Sequence, residues 1–129
     1  MKITAFALCL LCSGCSAPAF ADEARKIDFT APVIDQNGKP AHEADEKSPI
    51  LTLGDLVAAA LYRSPTLRQG EQADPIKLAK RAMLANRLHD AKDATLTAEE
   101  VVEIKASIGV FPPLSVLRVI EAIDPASLK

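Results

Sequence analysis

Beyond residue 15 the sequence has no cysteine, and it has no tryptophan anywhere. Its three cysteines, Cys9, Cys12 and Cys15, crowd into the first fifteen positions. A chain cleaved behind them holds no disulfide, no thiolate metal site and no cysteine nucleophile, which suits an oxidising compartment such as the periplasm. One tyrosine and no tryptophan leave a core of Leu, Ile, Val and Ala, a composition that favours helix packing. Five scattered glycines form no phosphate-cradling loop. None of Ser64, Ser107, Ser115 and Ser127 sits in a Gly-x-Ser-x-Gly elbow. There is no run of the roughly 20 apolar residues that a membrane-spanning helix needs.

What the first residues do hold is the pattern of a secretory leader. Met1-Lys2 supplies a positive charge, residues 3 to 12 are apolar apart from Thr4, and Ser13 to Ala21 are mostly small, ending Ala19-Phe20-Ala21 before Asp22. A charged start, a short apolar stretch and an Ala-x-Ala site define a signal peptide over residues 1–21, with Ala19 and Ala21 as the cleavage residues. The expectation is a periplasmic or secreted protein with no stable membrane insertion after cleavage. Two alternatives stand beside it: a lipid anchor at Cys15, although Cys12 holds the place an aliphatic residue usually takes, and a cytoplasmic protein whose true start lies near Arg25. Cleavage after Ala21 leaves 108 of the 129 residues, about right for one domain. Without Lys2, 14 of the 15 basic residues remain against 17 acidic ones, a net charge of −3. That balance offers no bulk attraction to nucleic acid or to an anionic membrane.

Residues 22–49 read as an extended arm or β-hairpin followed by a charged loop. Lys26-Ile27-Asp28-Phe29-Thr30 alternates polar with apolar or β-branched side chains, Pro32-Val33-Ile34 continues it, and Asp35-Gln36-Asn37-Gly38-Lys39 supplies turn chemistry. Residues 50–129 read as helices. Thr52 with Asp55 caps a first one with a core face of Leu53, Leu56, Val57, Ala60 and Leu61, and Ser64-Pro65 stops it. Asp74-Pro75 starts a second, with an apolar face of Ile76, Ala79 and Met83 widened by Leu78, Ala82 and Ala85. Thr97-Ala98-Glu99-Glu100 is a capping box for a third, carrying Val101, Ile104, Lys105 and Ile108 and stopped by Gly109. Pro112-Pro113 opens a fourth with Leu114, Leu117, Ile120 and Ile123, widened by Val116, and Pro125 ends it. The fold class is therefore mainly α: a small bundle of about four helices with an N-terminal arm.

Candidate chemistry is sparse. His42 stands beside Glu43, Asp45 and Glu46, residue types that bind metals, yet adjacent groups on a loop rarely enclose an ion unaided, so a solvated loop is expected. His89 ends the second helix, where a cation meets the helix dipole favourably. Asp35 to Gly38 begins like a calcium loop but has its glycine too early and lacks the bidentate glutamate; residues 90 to 101 fail similarly. Glu99, Glu100 and Glu103 resemble a carboxylate set, although acids are favoured in a helix's first turn anyway. Lys77, Lys80, Arg81 and Arg87 make a basic stripe that suits an acidic partner or, more simply, a solvated helix face. Without interleaved aromatics it does not suit single-stranded nucleic acid. No cofactor and no catalytic residue are expected.

Read together, Ile27-Asp28-Phe29-Thr30, Asp35 to Pro40 with Asn37-Gly38, Leu51-Thr52-Leu53-Gly54-Asp55, Lys80-Arg81 with Leu84-Ala85, Leu96-Thr97-Ala98-Glu99-Glu100-Val101, Ile104-Lys105, Ile108-Gly109 and Pro113-Leu114 resemble a family of small, mostly uncharacterised phage and prophage accessory proteins over about residues 27–122. The resemblance implies a factor that acts by contact with other proteins and offers no catalytic residues to carry over; an export leader departs from its usual cytoplasmic or virion location. The expected function is a non-enzymatic interaction factor, with Ile27, Phe29, Val33 and Ile34 of the arm and Lys77, Lys80, Arg81 and Arg87 as partner contacts. The arm could add to a partner's sheet edge or pack on its own bundle. The alternative is a small ligand-binding protein or hydrolase using His89 or the acidic loop at residues 43–46.

Overall fold

The computed structural model describes residues 25–129. The expected leader with Ala19 and Ala21, and the three cysteines, lie outside the described residues. Four helices follow one another: α1 (Leu53–Tyr62), α2 (Pro75–Leu88), α3 (Ala98–Ile108) and α4 (Pro113–Ile123), with a 3-10 turn at Pro125–Leu128. Among the described residues the extended segments meet only through isolated β-bridges, and no helix is long and apolar enough to cross a membrane.

The helix starts are local chemistry. The Thr52 hydroxyl accepts from the Asp55 N–H at 3.2 Å, and the Asp55 carboxylate accepts from the Thr52 N–H at 2.9 Å. The same reciprocal box joins Thr97 and Glu100 at 3.2 and 3.0 Å. Asp74 accepts from the Ile76 N–H at 2.9 Å with Pro75 at the first helical position. Each contact satisfies donors that the first helical turn otherwise leaves unpaired. Gly109 does end α3, but at a φ of −61°, so the stop comes from Pro112-Pro113 behind it and not from a left-handed glycine cap.

Helix α1 is the central post. Leu53, Gly54, Leu56, Val57, Ala58, Ala60 and Leu61 are all buried, because α2, α3 and α4 each pack against it. A helix apolar on nearly every side is what such a position demands. Two neighbours turn differently from the sequence expectation. On α2 the core face is Arg81, Leu84, Ala85 and Leu88, while Ile76 and Met83 point outward, 64% and 71% exposed. Met83 lies about half a turn from Ala85, so α2 has two apolar stripes and only one meets α1. On α4 the buried centre is Val119 with Ile123, and Leu117, more than half a turn from Val119, faces solvent.

The arm is part of the core. Ile27 and Ala94 exchange backbone hydrogen bonds at 2.8 and 3.1 Å, and the Phe29 N–H donates to Ala91 at 2.8 Å. On its other side the Phe29 carbonyl accepts from the Gly54 N–H at 2.7 Å. Phe29 is completely buried, and Ile27 and Val33 nearly so. Beyond it, three extended segments close on themselves: the Val33 N–H donates to Leu51, Leu51 to Ala41 and Ala41 to Val33, at 2.9, 2.8 and 2.7 Å. This ring pairs the backbone N–H and carbonyl of Val33, Ala41 and Leu51. Gly38 turns the first corner at a φ of +76°, which a side chain would resist, while the Asp35 carboxylate accepts from the N–H groups of Asn37 and Lys39.

Candidate interaction groove

Helices α2 and α3 both rest on α1, and their backbones stand apart while side chains bridge them. The space between them is an open groove of about 620 Å³. One wall is Lys77, Lys80, Met83 and Arg87 of α2; the other is Thr97, Glu99, Glu100 and Glu103 at the start of α3; Arg81 and Leu84 line the space between. The basic stripe and the acidic triplet, separate features of the sequence, thus face each other.

They are not equivalent along the groove. Arg87 pairs with Glu100 at 2.6 Å, and its Nη1 reaches the Thr95 carbonyl. Glu100 therefore caps α3 and anchors α2 at once. Arg81 is the largest departure from a solvated face. Its side chain is 11% exposed, and its Nη2 donates to the Ala60 carbonyl at 3.2 Å and the Ser107 hydroxyl at 3.0 Å. Its Nε lies 3.2 Å from a Glu103 carboxylate oxygen, near enough for ion pairing but out of line for a hydrogen bond. A guanidinium at the carbonyl end of α1 meets the negative end of that helix's dipole. Its long stem covers apolar surface on the way. Arg81 is thus a tie between α2, α1 and α3. Among the described residues Lys77, Lys80 and Glu99 form no ion pair, which leaves free charge of opposite sign on the two rims.

The other sequence candidates are placed elsewhere. Ile27, Phe29 and Val33 are in the molecule's own core, so they present no edge to a partner, and the Ile34 carbonyl accepts from Arg118 Nε at 3.1 Å. His42 closes the second hairpin, its Nδ1 2.7 Å from the Ser48 carbonyl. Asp45 is absorbed by a turn; hydrogen bonds from Ser48 and then from the Lys47 N–H hold its carboxyl below the usual range. Among the described residues no group of three or more metal-ligating side chains is gathered.

His89 ends α2, as its position implied, but it also has a partner that sequence distance conceals. Its Nε2 is 2.8 Å from Asp55 and its Nδ1 3.2 Å from Asp90. These carboxylates, Asp90 foremost, raise its pKa against a smaller opposing effect of burial. Burial would raise Asp55, but the backbone and side chain of Thr52, then His89, outweigh it and hold that carboxyl low. The result is a histidine at the carbonyl end of α2 that grips the carboxylate capping α1, an arrangement in which the protonated ring is favourable to both helix dipoles. Compared with known proteins, the chain matches no family model, no curated protein and no solved structure.

Proposed function

We propose that this protein is a non-enzymatic interaction factor, exported by its leader and of prophage-like descent, that works through the groove between α2 and α3. The observation that carries the reading is the groove itself: two helices on a shared third helix, with Leu84 and Arg81 between them, Met83 exposed on one wall, and walls of opposite charge. An open trough between helices accepts a helical or extended segment lying along it, a recurring mode of recognition. A compact ligand would instead need most of its surface enclosed. Lys77 and Lys80 select acidic groups on one flank of the segment, and Glu99 selects basic groups on the other.

A photo-crosslinking side chain in place of Met83, introduced in cells that make the protein naturally, tests this. A discrete crosslinked product containing a second protein is expected, and it should disappear when Lys77 and Lys80 are both changed to Glu. The same crosslinker in place of Val110, which is exposed away from the groove's lining, should give none. Equal labelling from both positions, or none from Met83, refutes the groove as the working surface.

A further inference from the structure

The three most exposed large apolar side chains among the described residues are Met83, Val102 and Ile76, at 71%, 66% and 64%. Ile76, Lys80 and Met83 follow one another at helical spacing along one strip of α2, about 10 Å long. Val102 stands one turn after Glu99 on the outer side of α3. Met83 lines the groove, Ile76 lies about two turns before it on the same side of α2, and this exposed face has two free cations on its α2 side and a free carboxylate on its α3 side. Under a two-fold rotation such a surface complements itself: the apolar strip meets its own copy, and each cationic side meets the other copy's acidic side. A net charge of only −3 after leader removal places no strong long-range repulsion in the way.

We propose that a second copy of this chain covers this face, giving a two-fold dimer. Ile76 and Met83 lie against the same strip of the second copy, and Lys77 and Lys80 reach Glu99 across the interface. The proposal rests on the reading of the groove as an interaction surface. It adds that the surface is occupied by the chain itself when no other protein is bound.

Sedimentation equilibrium of the purified protein between about 1 and 200 µM, a range that covers weak association, tests it. A monomer–dimer equilibrium is expected, with Met83→Asp monomeric throughout and helical circular dichroism unchanged. A Lys77→Glu/Lys80→Glu variant and a Glu99→Lys variant should each self-associate at least tenfold more weakly. Mixed together, they should form a heterodimer, because every cross-interface contact then joins opposite charges again. A protein that stays monomeric at the top of the range, a dimer indifferent to Met83→Asp, or no gain on mixing overturns the proposal. Any of these results leaves a crosslink from position 83 to a different protein intact. A homodimer as the sole crosslinked product would support the dimer and remove the other partner.

Discussion

Replacing Gly54 by Ala should destabilise this protein although it puts a better helix former inside a helix. In an exposed helix the change gains roughly 1 kcal/mol. Here an added methyl carbon would sit 2.0 Å from the His89 carbonyl oxygen, 2.8 Å from its carbon and 3.0 Å from the Phe29 carbonyl oxygen. Carbon–oxygen contacts normally stop near about 3.3 Å, so the shortest is more than 1 Å too close. All three atoms are backbone, and no rotamer change relieves them. Either α1 withdraws from the end of α2, which breaks the Asp55–His89 pair, or it withdraws from the arm, which loses the 2.7 Å bond from Gly54 to Phe29. Overpacking of this kind costs about 1–3 kcal/mol and occasionally more. Losing one backbone bond at a buried site adds about 1–3 kcal/mol. A net loss of about 1–5 kcal/mol is expected after the helix-propensity gain, a large share of a small domain's total of about 5–15 kcal/mol. Urea unfolding followed by circular dichroism measures it. Gly109→Ala is the internal control: its φ is ordinary and nothing lies within 4 Å of the added methyl, so stability should be unchanged or rise by about 0.5–1 kcal/mol. If Gly54→Ala unfolds at the wild-type midpoint or above it, the close approach of α1 to His89 is wrong.

Phe29→Ala, which empties a fully buried site in the arm, should cost about 3–5 kcal/mol; a loss under about 1 kcal/mol would mean that the arm is not part of the core. Ile104→Ala, at a fully buried position, should cost about 2–5 kcal/mol, whereas Leu117→Ala on the exposed side of α4 should stay within about 1 kcal/mol; the reverse order in urea unfolding would show that α4 is turned the other way. The His89–Asp55 clasp should be pH-dependent in a definite sense. A raised histidine pKa contributes stability fully below the unfolded value of about 6.5 and loses it as pH rises through the higher folded value. The lowered Asp55 pKa contributes stability above about 3.9 and loses it as pH falls through the lower folded value. Thermal unfolding should therefore show a decline from pH 6 to 9 that is absent in His89→Gln, and an identical slope in the two proteins would count against the clasp.

Much of the helical skeleton is legible in the chain because its causes are local. Thr52 with Asp55, Thr97 with Glu100 and Asp74-Pro75 satisfy donors within three residues of themselves, so their effect needs no knowledge of the rest of the fold. The turn at Asp35 to Lys39 is of the same kind, with the left-handed corner falling on the one residue there that adopts it freely. The face of α1 is legible too, since nearly all of its side chains are apolar and only Asp55 among them carries charge.

What the fold alone decided are matters of choice between equals and of partners far apart in sequence. Helix α2 carries two apolar stripes; periodicity points to Ile76, Ala79 and Met83 with Ala85 at the widened margin, and packing against α1 takes Leu84 and Leu88 together with Ala85. The selection turns on Arg81, whose guanidinium is acceptable inside only because Ala60 and Ser107, 21 and 26 residues away, supply acceptors. A buried cation without such acceptors would be costly, and nothing near Arg81 in the chain announces them. The arm presents a similar choice, resolved because the Ala91–Ala94 loop and the start of α1 offer it backbone partners together. The groove has the same origin. Lys77 and Lys80 are separated by about 20 residues from Glu99 and are brought opposite it by a third helix to which neither belongs. Local chemistry therefore determined where the helices begin and end, while burial and long-range hydrogen bonds determined which faces they turn inward and which they leave to the solvent.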